Sequence, residues 1–142
     1  MRALALDYGA ARCGCAISDP TGVIARPLPV IEPPDPRVVA ELVTEHSIDV
    51  VVVGLPIGLS GKEGAQAGRA RAFRADLANL VDVPVETYDE RLTTKLAQRT
   101  ARSGAGAAED SIAAAHILES YLQARAGRQR DEERPEGEGG SE

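Results

Sequence analysis

The residues best placed to do chemistry are acids at the ends of apolar runs. Asp7 closes the short apolar run that begins at Ala3, Asp89 and Glu90 close a run that begins at Val83, and Asp110 opens the last helical pattern. In an open α/β sheet, ligands bind beyond the carboxyl ends of parallel strands. If the first and last strands are parallel neighbours, Asp7 and Glu90 meet at one end, and an acid at a helix start completes the set. Carboxylates gathered at one point repel, and ionising them together is costly. A divalent cation resolves that conflict, and oxygen-only ligands favour Mg²⁺ or Mn²⁺. Each acid taken singly also has an ordinary structural use. Asp110 suits a helix N-cap, and Asp89 and Glu90 suit a turn. Asp7 is the hardest to assign to packing, because it follows directly on an apolar strand.

Basic residues lie beside these acids. From Arg91 to Arg102 there are four, Arg91, Lys95, Arg99 and Arg102, with no acid among them. Spacings of four, four and three place them on one stripe of a helix. Lys62, Arg69, Arg71 and Arg74 form a second basic segment. Either segment alone reads equally well as a solvated helix face. A basic stripe abutting a carboxylate set suits a phosphate-bearing polymer held across a metal site. Three other patterns fail on spacing. The glycines from Gly54 to Gly64 do not match a phosphate-binding loop, since Gly58 precedes Gly61 by three and Glu63 stands where Ser or Thr is needed. Cys13 and Cys15 with His46 and His116 lack zinc-site spacing, and the cysteines read as core thiols. His116 lies within reach of Asp110 along a helix but reads as a packed or exposed histidine.

The elements that must position these groups alternate. Strands are expected at Ala3–Asp7, Cys13–Ser18 and Val23–Ile31, the first two joins being tight turns that suggest an antiparallel meander. Pro27 and Pro29 push the third strand toward a sheet edge. Asp35-Pro36 marks a helix start, and Asp49–Gly54 reads as a buried central strand. A glycine-rich loop over Leu55–Gly64 precedes a helix over Ala65–Leu80. A strand over Val83–Tyr88 follows, then helices over Leu92–Arg102 and Asp110–Arg125. The order predicts an α/β domain with a mixed sheet, an antiparallel meander followed by parallel strands, and helices on its faces.

Composition limits the choices. The chain has 142 residues, enough for one domain with its own core and too few for an eight-fold barrel or a two-lobed kinase. A net charge of −6 argues naively against a polyanionic partner. Three basic and six acidic residues lie in 127–142, however, a charged, glycine-rich stretch that reads as a disordered tail after a domain over 1–126. Four aromatic residues and no Trp argue against a base-stacking platform. No signal peptide or membrane-length apolar run is legible, and two cysteines one residue apart suit a reducing compartment, so a cytoplasmic protein is expected.

Four segments resemble one family, the YqgF-type proteins described as Holliday-junction resolvases or pre-16S rRNA nucleases. They are Leu6–Asp19, with a D-x-G-x-x-R-x-G-x-A-x-S-D pattern; Val52–Pro56 with Gly61 and Phe73; Tyr88–Thr94, the most specific; and Asp110–Ala114 leading to Ile117–Leu122. The resemblance spans residues 1 to about 126 in order. It implies a ribonuclease-H-like fold and divalent-metal phosphodiester hydrolysis, with Asp7, Glu90 and Asp110 as the metal-binding and catalytic acids. Which of Asp89 and Glu90 faces inward stays open. Arg12 becomes a phosphate contact and Thr93 a cap of the basic helix, so that Arg12, Arg71, Arg91, Thr93, Lys95 and Arg99 form the expected nucleic-acid contacts. Two metals ~4 Å apart would activate water and stabilise the leaving oxygen. Ala11, Gly58 and Ala107-Ala108-Glu109 depart from the family pattern by removing backbone contacts.

The expected function is a Mg²⁺- or Mn²⁺-dependent nuclease acting on structured RNA or branched DNA, as a monomer or weak homodimer. A non-catalytic nucleic-acid-binding regulator of transcription is the alternative. An actin-like ATP-binding unit, suggested by Asp7–Gly14, suffers from having one domain where two must close on the nucleotide.

Overall fold

A computed structural model describes residues 1–58, 60–93 and 107–132. Five strands, β1 (Ala3–Tyr8), β2 (Cys13–Ser18), β3 (Ala25–Ile31), β4 (Val50–Leu55) and β5 (Val85–Asp89), form one sheet in the order β3-β2-β1-β4-β5. β1–β2 and β2–β3 are antiparallel, whereas β1–β4 and β4–β5 are parallel. The expected meander and parallel half are both present. β1 and β5 are not neighbours, however: β4 lies between them. Its run of four valines is buried on both faces, as a central parallel strand requires.

Strand alternation sorts the chemistry. On one face Leu4, Leu6, Cys13, Cys15, Val51 and Val53 pack against α1 (Pro36–Glu45) and α2 (Ala65–Ala78). On the other face Ala3, Ala5, Ala16, Val50 and Val52 pack against Ala114, Ile117, Leu118 and Tyr121 of the long helix α3 (Ala107–Glu132). The β1 and β2 residues under α3 are alanines, so the helix sits close to the backbone there. Asp7 continues the Ala3–Ala5 series and therefore belongs to the α3 face.

Several boundaries differ from expectation. Asp35 caps α1 as expected, accepting from the Arg37 amide at 2.9 Å, with Pro36 at the first helical position. β3 begins at Ala25 because Asp19 accepts from the Thr21 hydroxyl and from the amides of Val23 and Ile24, which holds those two residues in the turn. α3 starts at Ala107, three residues early, so Asp110 sits inside the first turn rather than capping it. It also runs to Glu132, through the first six residues expected to form the tail. The expected helix over Leu92–Arg102 falls almost wholly outside the described residues; Glu90–Leu92 forms a 3₁₀ turn. Cys13 and Cys15 are free, buried thiols in the core. Among the described residues no helix is long and apolar enough to cross a membrane.

Candidate active site

The acids converge at the carboxyl ends of β1 and β5. Asp7 pairs with Gly14 across the β1–β2 ladder. One step past the Leu6–Val53 pair of the parallel ladder it comes level with Gly54. Gly54 keeps the space between β1 and β5 open. A Cβ there would lie 3.3 Å from Glu90 Cγ and 2.7 Å from Ile117 Cδ1. Glu90 thus reaches toward Asp7 over a strand that has no side chain at the crossing.

The choice between the adjacent acids follows from their partners. Asp89 accepts from the Arg91 amide at 2.9 Å and from Arg91 Nη2 at 2.6 Å. That pairing lowers its pKa and commits it to capping the 3₁₀ turn. Glu90, next in the chain, is pushed up by burial first and then by the charge of Asp89. Thr93 closes the turn, its hydroxyl donating to the Glu90 carbonyl at 2.7 Å.

Asp110 enters from α3. Being in the first turn, it lies where the helix dipole favours an anion. Its close approach requires Gly14, since a Cβ at that position would lie 2.1 Å from the Asp110 carbonyl oxygen. Arg12, in the turn closed by the Gly9 amide on its own carbonyl, donates from Nε to Asp110 Oδ2 at 2.8 Å. Asp7 carries the electrostatic signature of the group. Its pKa rises from 3.8 to about 7, chiefly through burial and further through the charges of Glu90 and Asp110.

The expected nucleic-acid contacts divide. Arg12 and Arg91 stand beside the acids, each in an ion pair. Arg71 lies further off on α2, where it grips Glu63 with two bonds of 2.6 and 2.7 Å and ties the glycine-rich loop to that helix. Lys95 and Arg99 lie outside the described residues. His116 sits part-way along α3 with Nδ1 3.7 Å from Glu119, as a helix histidine rather than a fourth member of the acid group. Gly14, Gly54 and Ser111 shape the site, and sequence reasoning misses them in this role. Small residues at strand positions facing a helix are the available signal.

A five-stranded mixed sheet in this order, with helices on both faces, is the ribonuclease-H-like fold. The solved structure of Thermus thermophilus RuvC in complex with a Holliday junction substrate matches with a TM-score of 0.63 at 18% identity, over 89% of this chain and 97% of that one. The fowlpox virus Holliday junction resolvase matches with a TM-score of 0.53 at 14% identity, over 87% and 99%. These likenesses show the fold. Residues 1–124 match the family model described as RuvX, Holliday junction resolvase, and the chain belongs to that family. A Pelotomaculum thermopropionicum relative is 39% identical over all of this chain and 99% of its own length. An Anaeromyxobacter relative is 42% identical over 88% of this chain and 98% of its own. Both carry the name "Putative pre-16S rRNA nuclease".

Proposed function

We propose that this chain is a cytoplasmic, divalent-cation-dependent nuclease that hydrolyses phosphodiester bonds of structured nucleic acid, with Asp7, Glu90 and Asp110 as the catalytic, metal-binding acids. The observation that carries this reading is the Asp7 carboxyl, half-buried within electrostatic reach of two further acids and raised to about 7 by both effects. A lone acid serving packing has no reason to be placed so. The donor set suits Mg²⁺ or Mn²⁺, being carboxylate oxygen throughout. Among the described residues no three His, Cys, Asp or Glu side chains stand close enough together to hold a metal ion as they are placed, so the acids would have to draw together on a cation. Glu90 and Asp110 lie close enough for their charges to act on Asp7.

Asp7, Glu90 and Asp110 would hold the divalent cation, which when bound would supply Lewis-acid chemistry to a water and to the leaving oxygen. The remaining work falls to the chain. Asp7 gives up its proton near neutral pH and contributes the central carboxylate. The Asp89–Arg91 cap fixes the turn that keeps Glu90 aimed inward. Arg12 neutralises Asp110 and stands ready for a backbone phosphate, with Arg91, Thr93, Lys95 and Arg99 as the further nucleic-acid contacts. Arg71, bound to Glu63, contributes by holding the loop.

Family and fold names divide between two substrates, a pre-16S rRNA end and branched DNA. Relatives around 40% identical over nearly the whole chain carry the rRNA name, which weighs toward RNA. The purified protein assayed on a 16S precursor and a four-way DNA junction, each with Mn²⁺ and with chelator, tests this. Chelator-sensitive cleavage of the precursor is expected. Cleavage unaffected by chelator, or of neither substrate, contradicts the proposal.

A further inference from the structure

We infer that Ser111 is a positioning residue for Asp110, acting through a hydroxyl inserted into a defect of the β2–β3 ladder. The inference rests on the nuclease reading above and concerns how its helix-borne acid is held.

The defect is visible in the register. Cys13 pairs with Ile31 and Cys15 with Leu28, so two steps along β2 match three along β3, and the extra β3 residue falls opposite Gly14. Pro29, with no amide proton, lies in this stretch. A bulge of this kind leaves ladder groups without their regular partners. Ser111 bonds to both strands beside it. Its Oγ accepts from the Cys15 amide at 3.3 Å and donates to the Leu28 carbonyl at 2.6 Å. One hydroxyl thus joins the donor of one strand to the acceptor of the next, and it belongs to neither strand.

The placement fixes more than the sheet. Ser111 is buried, at 3% exposure, and follows Asp110 directly. At the same point a Cβ on Gly14 would lie 2.9 Å from the Ser111 amide nitrogen, so helix and strand touch backbone to backbone. Sliding or rotating α3 here breaks both hydroxyl bonds. Asp110 inherits its position over Gly14, and hence over Asp7, from a pin one residue away. The Arg12–Asp110 pair cannot do this, since both side chains are more than a third exposed and such pairs hold weakly. An apolar residue at 111 would pack on the sheet equally well but would lose both bonds to the strands, leaving α3 free to shift over Gly14.

The test is Ser111→Ala, with Ser111→Thr and Ser111→Val as a pair of equal shape that differ in the hydroxyl. Two readouts are taken on folded protein: Mn²⁺ affinity by calorimetry without nucleic acid, and kcat against KM on the substrate the unaltered protein cleaves. Ala and Val should weaken Mn²⁺ binding and lower kcat by roughly tenfold, in the range for residues that orient metal ligands, with KM unchanged and with Thr close to the unaltered protein. In an Asp110→Asn background Ser111→Ala should cost nothing further in Mn²⁺ affinity. If Ala proves too unstable to assay, the Thr–Val comparison decides. Unchanged Mn²⁺ affinity and kcat in Ala or Val, or equal losses in Thr and Val, overturn the inference. Absence of Mn²⁺ binding and cleavage in the unaltered protein overturns the nuclease reading instead.

Discussion

At the scale of single residues, the raised Asp7 carboxyl has consequences that do not depend on knowing the substrate. Its folded pKa of about 7 lies above its ordinary value of 3.8, so between those values the native state holds a proton that the unfolded chain has lost. Stability therefore falls as pH rises through that window and levels off above it, by up to about 4 kcal/mol for this group. Without divalent cation the melting temperature should be higher near pH 5 than near pH 7.5. Mn²⁺ should restore much of the difference at the higher pH, and Asp7→Asn should flatten the profile. Thermal melts at the two pH values, with Mn²⁺ and with chelator, check this.

Arg12 gives the second prediction at this scale. It is paired with Asp110, an acid that a cation would need, so removing it should ease cation binding and impair phosphate binding. Arg12→Gln is expected to raise Mn²⁺ affinity several-fold in the absence of nucleic acid. It should weaken nucleic-acid binding, with a salt slope lower by about 1. Paired calorimetric and salt-titration measurements read both signs.

At the scale of elements, the site depends on how closely α3 approaches the sheet. Gly14→Ala would drive a methyl into the Asp110 backbone. Backbone cannot swing aside as a side chain can, so the helix must move. A loss of about 1–3 kcal/mol from overpacking is expected, together with a fall in cleavage larger than the lost stability explains. Denaturant titration alongside kcat separates the two. Ala5, Ala16 and Ala114, all fully buried, show why this approach is general along the helix.

Most of these elements are legible in the sequence. The valine run of β4, the Asp35-Pro36 helix start and the two tight turns of the meander carry local signals, and local signals determine strands and caps. The placing of β4 between β1 and β5 is not legible, because strand order is a property of crossovers rather than of any segment. The bulge opposite Gly14 and its Ser111 plug are hidden for the same reason: each half of the contact is an ordinary small residue until the other is beside it. That Arg91 pairs with Asp89 is not legible either, since two adjacent acids give no hint of which one it claims. The acids themselves are legible through their positions at strand ends and through the family resemblance.

At the scale of the whole molecule, the net charge of −6 is a poor guide to the site. At the end of the sheet where the acids meet, Arg12 and Arg91 are each matched by an acid of their own, and Arg71 is matched by Glu63. Binding a polyanion therefore means exchanging partners rather than filling a bare positive surface, which favours weak, salt-sensitive binding. Lys95 and Arg99, whose sequence spacing suits one helix face, are expected to supply the remaining attraction. Lys95→Gln with Arg99→Gln should weaken binding on every nucleic-acid sequence alike and lower the salt slope by about 1 for each phosphate no longer neutralised. Mn²⁺ affinity should be unchanged.

The most direct measurement is metal-dependent cleavage by the purified protein compared with its Asp7→Asn variant, on the same structured substrate and at saturating Mn²⁺. Asn keeps the shape of the side chain while removing the charge that a cation needs, and it also removes the cost of a carboxylate partly withdrawn from water beside two other acids, so the variant should be at least as stable. A fall in kcat of more than ~100-fold in a folded, more stable variant is expected, beyond the 10–100-fold typical of residues that only orient metal ligands. Equal cleavage by the two proteins would contradict the assignment of Asp7, and with it a catalytic centre at this end of the sheet.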